Sequence, residues 1–385
     1  MKKILVVLLM LALAGGLFAQ EVSIGGEVWL DLGVGIPAGK SVLGIDGKTT
    51  KTEAKDLGDP SWMWTMLENG NTILKANAKF DKVSAWVAFR PDANVSLDLS
   101  DPSDPGVDVI AVWTGDVTVD LDALKLSIGH NRLPVAFWSS YLLWGDGHYG
   151  IGASSTNRAT YIQGDVFGVF FGVASDEGTF KLNGKSLKEQ WAPAFYVGYN
   201  FTNEDESLLI GASFVGMHNP VWDDSNPLDP KIVDVAFPIM GNLHARFGLL
   251  DSLLSVGVNV SVYSAPEYGI FSLGAEAGDS EVALGGKDAF ALEGLLDIGV
   301  NLDLCAIGFG FGLVTNLAAP DKGGGSFGMK FGLSADFEIG DTGFHIVPGV
   351  DFINVKENAY DVATKKSAVT TESALNAGIS FYYSF

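Results

Sequence analysis

A two-residue alternation of apolar and polar side chains runs through most of the 385-residue chain, and it limits the fold more than any other feature. In the last thirteen residues, SALNAGISFYYSF, every second side chain from Leu375 to Phe385 is apolar or aromatic. The same pattern recurs in EVSIGGEVWLDLGVG, ILKANAKF, NLHARFGL and FGMKFGLSADFEIG. Because successive side chains of a strand point to opposite faces, the pattern predicts β-strands with one apolar and one polar face.

The polar faces of these segments carry charges as well as small residues. A soluble β-sandwich also alternates, but its strands are shorter and its polar face meets bulk water. In a membrane barrel, the apolar face of each strand of about ten residues meets lipid, while the polar face lines a wet lumen. Only a closed barrel leaves no unpaired strand edge in the hydrocarbon. The pattern therefore favours an all-β, antiparallel transmembrane β-barrel.

The N-terminus has the three parts of a secretory signal peptide. Lys2 and Lys3 precede the apolar run Ile4 to Leu13, and small residues follow, so we expect residues 1–19 to be cleaved off after Ala19 and residues 20–385 to form the barrel. An uncleaved anchor is the alternative, but the apolar run is short for a bilayer span. Cys305 is the only cysteine, so no disulfide within the chain can stabilise the exported protein.

The connections between the apolar runs alternate between tight turns and long polar loops. Tight turns are expected at Asp81-Lys82, Asp122-Ala123, Asp165-Val166, 202–206, 250–252, Asp303 and 340–342. Long loops are expected at 36–70, 91–106, 130–157, 176–191, 218–231, 265–288, 318–326 and 356–368. Barrels of this type have short periplasmic turns and long external loops. The alternation therefore predicts about sixteen strands with both chain ends on the periplasmic side.

The formal charge of −22 excludes some partners. An acidic surface argues against nucleic acid and against docking on anionic lipid through a basic patch. The charge either keeps the external loops soluble or biases the protein toward cations. Charges on loops far from a pore are screened beyond about 8 Å at physiological salt, which favours the first explanation.

With these features the chain resembles the bacterial outer-membrane porins over its whole mature length. Its closing strand, with Tyr383 and terminal Phe385, looks like the aromatic-ended signal by which that class is inserted into the membrane. The segments LKLSIGHNRLPVAF, residues 124–137, and NRATYIQGDVFGVFFGVASD resemble those that flank the third loop of porins, notably of the phosphate-selective type. The resemblance implies that residues 130–157 fold into the lumen and narrow it. A homotrimer is also expected, and the resemblance is the sole basis for that expectation.

The expected third loop carries aromatic residues and a single acid. The candidate constriction residues are Trp138, Tyr141, Trp144, Asp146, His148 and Tyr149. General porins set several loop acids against basic wall residues, and this loop departs from that pattern. Its aromatic rings either form a stacking surface for sugars or pack the loop against the wall.

Candidate residues for the lumen wall carry both signs of charge. The basic ones are Lys75, Lys79, Arg90, Arg158, His244, Arg246 and Lys330. The acidic ones are Glu27, Asp31, Glu293, Asp297, Asp336, Glu338 and Asp351. They either face the diffusing solute or form ion pairs that hold the wall together, because charges in a lumen need partners or water.

Other motifs do not indicate an enzyme. GDS, ending at Ser280, lies in an expected loop without the surroundings that a nucleophile needs. GFGFG, residues 308–312, alternates as a strand and lacks the helix that follows a phosphate-binding loop. DDSNPLDP, residues 223–230, lacks the spacing of an EF-hand. No cofactor or metal is expected.

These features predict a passive pore for small hydrophilic solutes in the outer membrane, with lipid and solute as its partners. The rival from another class is a surface adhesin or structural barrel with acidic external loops, and the long first loop with Trp62 and Trp64 supports it. A transporter of hydrophobic solutes would need an N-terminal plug domain, and the first strand begins too soon after the signal for one.

Overall fold

Sixteen antiparallel strands close into a barrel in the computed structural model. The structure describes residues 21–57, 60–65, 73–95, 107–135, 149–151, 155–156, 158–176, 181–182, 185–186, 193–223, 231–250, 253–266, 271–272, 275–277, 280–282, 284, 288–302, 304–319, 321, 324–340, 342–361 and 363–385. For some of these residues, among them Trp29, Asp31 and 61–65, it describes the backbone alone.

The barrel strands follow one another in chain order. They are β1 (Glu21–Leu43), β2 (Ile73–Phe80), β3 (Val83–Val95), β4 (Val107–Asp120), β5 (Lys125–Arg132), β6 (Arg158–Val166), β7 (Val169–Asp176), β8 (Pro193–Thr202), β9 (Leu208–Met217), β10 (Ile239–Leu249), β11 (Leu254–Ser264), β12 (Phe290–Leu302), β13 (Cys305–Asn316), β14 (Phe327–Glu338), β15 (Phe344–Asp361) and β16 (Lys366–Ser384). Each strand pairs with the next, and β16 pairs with β1. The barrel therefore has no open edge between its first and last strands, as the alternation predicted.

Apolar side chains form an exposed band around the outside. Leu243 is 66% exposed, and Ile162 and Ile128 are exposed to a similar extent. On the closing hairpin, the outward positions are apolar from Phe344 to Phe352 on β15 and from Leu375 to Tyr383 on β16. Nine residues per strand match the length that crosses a bilayer. The parts of β15 and β16 beyond this band lie on the side of the long connections.

Short turns join the strands at one end of the barrel. The expected turns at Asp81-Lys82 and Asp122-Ala123 lie where β2 meets β3 and β4 meets β5. The turn expected at Asp165-Val166 lies two residues later, at Phe167-Gly168, where both residues have positive φ. β6 continues through Val166 because its pairing with β7 extends to Val166 and Val169.

Strand extends into several of the expected loops, among them 91–106, where β3 runs to Val95, and 218–231, which contains the strand Asn219–Asp223. Residues 356–368 are mostly strand, because β15 runs to Asp361 and β16 begins at Lys366. The outward residues of this segment lie beyond the apolar band, which is why the sequence is polar here. On the inward face, Val355, just before the segment, is fully buried. Within 36–70, β1 continues to Leu43, and the strands Thr49–Glu53 and Ser61–Thr65 pair with its free edge beyond β2.

In the part of the chain that the structure describes, no helix is long and apolar enough to cross a membrane.

Candidate functional site

The connection between β5 and β6 starts by turning into the barrel. We name residues 133–157 loop A. Leu133 and Val135 are buried in one apolar cluster with inner-face residues of the seven strands β6 to β12, among them Tyr161, Tyr196 and Met240. The Ser213 hydroxyl on β9 donates a hydrogen bond to the Val135 carbonyl. Loop A therefore enters the lumen along the wall from β6 to β12.

The far part of loop A lies near another section of the wall. The strand Tyr149–Ile151 approaches β13, β14 and β15, with Cα atoms within 8 Å. It pairs with Ala275–Ala277, which belongs to the connection between β11 and β12. The described parts of loop A therefore lie near two different sections of the wall.

The connection between β11 and β12, residues 265–289, also folds inward, and we name it loop B. Val282 is 5% exposed and, with the half-buried Leu284, packs on the inner faces of β13, β15 and β16. The residues beneath them are Val314, Ile353, Val355 and Ala374. The sequence interpretation assigned 265–288 to the exterior. The alternation of Val282 and Leu284 within a polar loop is the signal that could have revealed its docking.

A polar contact fixes loop B at the external end of the wall. The buried Ser280 hydroxyl donates to Glu372 Oε2 at 3.2 Å, and Lys40 Nζ lies 3.1 Å from the same oxygen. Burial raises the pKa of Glu357 beside them; the Glu281 carboxylate raises it further, and the Lys40 ammonium lowers it. The docked end of loop B is therefore close to the ion pair of Lys40 and Glu372 and to the carboxyl groups of Glu281 and Glu357.

A cavity of about 570 Å³ lies on the side of the barrel formed by β1 to β5 and reaches the end of β16 at Ser384 and Phe385. Its lining includes Ser23, Glu27, Lys75, Asn77, Trp86, Thr114 and Asn131. Loops A and B pack on the other strands, so their described parts leave this side uncovered.

Polar groups on this wall are held in defined positions. The Lys75 ammonium lies 5.4 Å from the centre of the Trp86 ring. The Trp86 indole donates to Asp116 Oδ2 at 2.5 Å, and the Thr118 hydroxyl donates to Asp116 Oδ1 at 3.2 Å. The Tyr161 hydroxyl approaches Asp116 Oδ2 from β6 at 3.3 Å. Three neighbouring donors therefore hold the Asp116 carboxylate in place, while the Lys75 ammonium faces the Trp86 ring.

Charged residues beneath the loops are covered. Lys330 Nζ lies 3.2 Å from Asp351 Oδ2, and the two side chains are 0% and 2% exposed. Asn376 donates to Asp351 Oδ1 at 2.8 Å. The Tyr263 hydroxyl donates to the fully buried Glu293 at 2.9 Å. These charges support the wall and do not face the cavity.

A hydrogen-bonded network follows the inner faces of β8 to β11. His244 contacts the side chains of Asn242 and Asn200 at 2.7 and 3.1 Å. Asn242 donates in turn to Asn259 and Ser261 at 2.6 and 2.7 Å. The residues alternate along β10 and β11 with outward apolar residues, so the sequence pattern located them on the polar face.

Near the short turns, Asp336 is held by two aromatic groups. His345 Nδ1 lies 2.8 Å from Asp336 Oδ1, and the Tyr382 hydroxyl donates to Asp336 Oδ2 at 3.1 Å. The His345 and Tyr382 rings stack with their centres 4.1 Å apart. This cluster joins β14, β15 and β16 at the end of the barrel that carries the short turns.

Eleven of the fourteen candidate residues for the lumen wall have described side chains, and all eleven occupy inward register positions. The basic ones are Lys75, Lys79, His244, Arg246 and Lys330. The acidic ones are Glu27, Glu293, Asp297, Asp336, Glu338 and Asp351. For Arg90, Arg158 and Asp31 the side chains lie outside the described part.

The residues named for the constriction fall almost entirely outside the described residues. This holds for Trp138, Tyr141, Trp144, Asp146 and His148, and for Tyr149 the structure describes only the backbone. Residues 1–20 and 224–230, which contain the expected signal peptide and most of DDSNPLDP, also lie outside.

The C-terminal aromatics lie at the seam between β1 and β16. Tyr383 and Phe385 are 43% and 59% exposed, and their rings stack with centres 6.0 Å apart. The backbones of Gly26 and Phe385 exchange two hydrogen bonds, of 3.0 and 3.1 Å. The last residue therefore completes the pairing of the seam.

No family model and no curated protein matches the chain. Solved structures do resemble it. The outer membrane channel DcaP of Acinetobacter baumannii is 13% identical, the match covers 95% of this chain and 97% of that one, and the TM-score is 0.58. The anion-selective porin from Comamonas acidovorans is 11% identical over 95% of this chain and 99% of that one, with a TM-score of 0.51. At these identities the likeness establishes a porin-like barrel fold.

Proposed function

We propose that this protein is a passive outer-membrane pore through which small hydrophilic solutes or ions diffuse. The observation that supports it best is the cavity of about 570 Å³ along β1 to β5, in a barrel with a polar inner face and an apolar outer band. Selectivity in such a pore comes from the diameter and lining of its narrowest point. The fold likeness to two channels supports the same class of function.

The location proposed for the pore follows from its outer surface. An apolar band nine residues high on β15 and β16 suits a bilayer, and a closed barrel leaves no unpaired edge in it. Residues 1–19 are proposed as the cleaved signal peptide that exports the chain. N-terminal sequencing of the protein from isolated outer membranes tests this, with a start at Gln20 as the expected result.

The proposed constriction is formed by Trp138, Tyr141, Trp144, Asp146, His148 and Tyr149 of loop A. The inward path of Leu133 and Val135 supports this, because the chain is already inside the barrel when it reaches these residues. The inward wall residues that are not buried, Glu27, Lys75, Lys79, Arg246, Asp336 and Glu338, together with Arg90 and Arg158, are proposed to set ion preference, and Lys75 faces the cavity directly.

Two finer features rest on the sequence resemblance. A homotrimer is proposed, and cross-linking of intact outer membranes tests it by a band at three times the monomer mass.

Phosphate is proposed as a candidate solute through the resemblance to the phosphate-selective type. Added phosphate should then reduce the chloride current through single pores, and an unchanged current would exclude a phosphate site.

The central test is single-channel recording of refolded protein in a planar bilayer, with reversal potentials under a salt gradient. Stable ohmic steps are the expected result. If protein that heat-modifiable gel mobility shows to be folded carries no current, the pore is rejected and the adhesin is favoured.

A charge reversal at the cavity links the current to the proposed passage. Lys75→Glu should shift the reversal potential toward cations, because the charge lies in the lining. Lys48→Glu is the matched control, since Lys48 is 87% exposed in an external turn. Equal shifts for both variants would contradict a passage along β1 to β5.

A further inference from the structure

Loops A and B are joined to each other by backbone pairing inside the barrel. We propose that loop B is a second, positioning element of the constriction, which holds the far part of loop A against the wall from β13 to β15. The inference rests on the proposed pore function, since it concerns the width of that pore. In consequence, residues of loop B that never contact solute determine the conductance.

The joining element is a small three-stranded sheet. Ala275–Ala277 forms its middle strand, with Tyr149–Ile151 of loop A on one side and Ser280–Glu281 on the other. A second pairing, Phe271-Ser272 with Ser155-Thr156, joins the two loops again closer to the return into β6. Two separate pairings hold the loops together more firmly than one contact would, because each restricts the other's freedom to rotate.

Loop B is attached to the wall directly after this sheet. Val282 and Leu284 bury their apolar side chains on Val314, Ile353 and Val355, three inward residues that are 0% exposed. Apolar residues are unusual on the inner face of a pore, because that face normally meets water. Their presence under loop B indicates that this section of the wall is built to be covered.

The external end of the attachment is polar. Ser280 donates to Glu372, whose carboxylate also binds Lys40 of β1. Loop B is thereby tied to β16 and, through Lys40, to the first strand of the barrel. The residues beneath Val282 and Leu284 are not among those that line the cavity, so the described attachment leaves the cavity along β1 to β5 open.

Undocking loop B tests the inference. The variant Val282→Asp/Leu284→Asp places two charges in a buried apolar contact, and the loop should leave the wall. Single-channel conductance should then rise by about 1.5- to 2-fold, because the narrowest cross-section limits the current. Leu317→Asp is the matched control, since Leu317 is 53% exposed outside both loops, and its conductance should equal that of the wild type. A folded double variant with wild-type conductance would overturn the inference.

A disulfide across the two loops gives a second test that does not depend on current. Ile151→Cys and Ala275→Cys, in a Cys305→Ser background, occupy paired positions and should oxidise to an intrachain disulfide. Mass spectrometry of the oxidised protein detects it, and Ile151→Cys with Phe167→Cys is the control pair that should stay reduced, since Phe167 lies in a short turn at the other end of the barrel. Absence of the first disulfide in folded protein would overturn the inference even if the double variant above fails to fold. A silent wild type that forms the disulfide would reject the pore but leave the loop pairing intact.

Discussion

At the scale of single residues, the buried pair of Lys330 and Asp351 shows what the covered wall requires. Both charges lie beneath loop B, where water cannot solvate them. Removing two charges from water costs several kcal/mol for each ion, and their mutual attraction compensates only when geometry and hydrogen bonds are good. Asn376 supplies one of those hydrogen bonds. The pair therefore depends on both members being present.

We predict that Lys330→Met destabilises the barrel by about 3–5 kcal/mol, because it leaves the Asp351 carboxylate buried without its cation. The double variant Lys330→Met/Asp351→Leu should recover most of that loss. Urea unfolding followed by heat-modifiable gel mobility measures both. A double variant no more stable than the single one would contradict the coupling.

Glu357 and Asp361, at the external end of β15, should respond to pH in opposite directions. Burial raises the pKa of Glu357 above its ordinary value of 4.5, so folding favours the protonated acid and is penalised once pH rises above the folded pKa. Backbone hydrogen bonds from Thr364 and Ala363 lower the pKa of Asp361 below 3.8. That contribution is present above pH 3.8 and lost as pH falls through the folded pKa.

At pH 7, Glu357→Gln should therefore raise the urea midpoint and Asp361→Asn should lower it. The Glu357→Gln difference should disappear as the pH falls below 4.5, and the Asp361→Asn difference should disappear as the pH falls through the lowered folded pKa of Asp361, since each carboxyl is then protonated in both the folded and the unfolded state. Urea titrations at a series of pH values measure this. Shifts of the same sign at pH 7 would contradict the assignment.

At the scale of elements, the seam between β1 and β16 closes the sheet. Sixteen residues of β1 find partners on β16, with one irregularity between Pro37 and Gly39. Gly26 has no room for a side chain there, because a Cβ atom would lie 2.5 Å from the Ile73 carbonyl oxygen and 2.8 Å from the Phe385 ring. The backbone oxygen cannot move away without breaking the pairing of β1 with β2.

We predict that Gly26→Ala destabilises the closed barrel by about 1–3 kcal/mol, the usual cost of overpacking. Gly39→Ala is the control, since a Cβ atom there has open space around it. The temperature at which the folded band disappears on a gel compares the two. Equal temperatures for both variants would mean that the seam tolerates a side chain at Gly26.

At the scale of the whole molecule, the exposed apolar band predicts which surface meets lipid. Leu243 lies outward near the middle of β10, whereas Leu317 lies just beyond the end of β13. Both leucines are more than half exposed, so a soluble protein would tolerate a charge at either position. In a bilayer, the cost of a charge depends on its depth.

We predict that Leu243→Arg destabilises the protein in lipid vesicles by about 2–4 kcal/mol and that Leu317→Arg costs about 0–1 kcal/mol. Urea unfolding in vesicles of fixed composition measures both. Two small and equal effects would contradict a membrane position for the middle of β10.

The sequence by itself determined the strands, their two faces and their approximate number, because side-chain alternation is a local property that each strand carries on its own. It also identified Lys75 and Lys330 as inward residues by the same rule. The alternation did not show which of the two lysines faces open space and which is buried. Lys75 faces the cavity and Lys330 is fully covered, since contacts between residues far apart in the chain decide where loops A and B pack.

The tertiary structure alone decided that loop B folds into the barrel and that β15 and β16 continue beyond the apolar band. Polar composition suggested loops at both places, because an outward face that has left the membrane no longer needs apolar residues. The inner faces of these strands carry the apolar residues Ile353, Val355 and Ala374, and the role of these residues is visible only once Val282 and Leu284 cover them. Burial is a property of the assembled barrel, whereas alternation is already present in the chain.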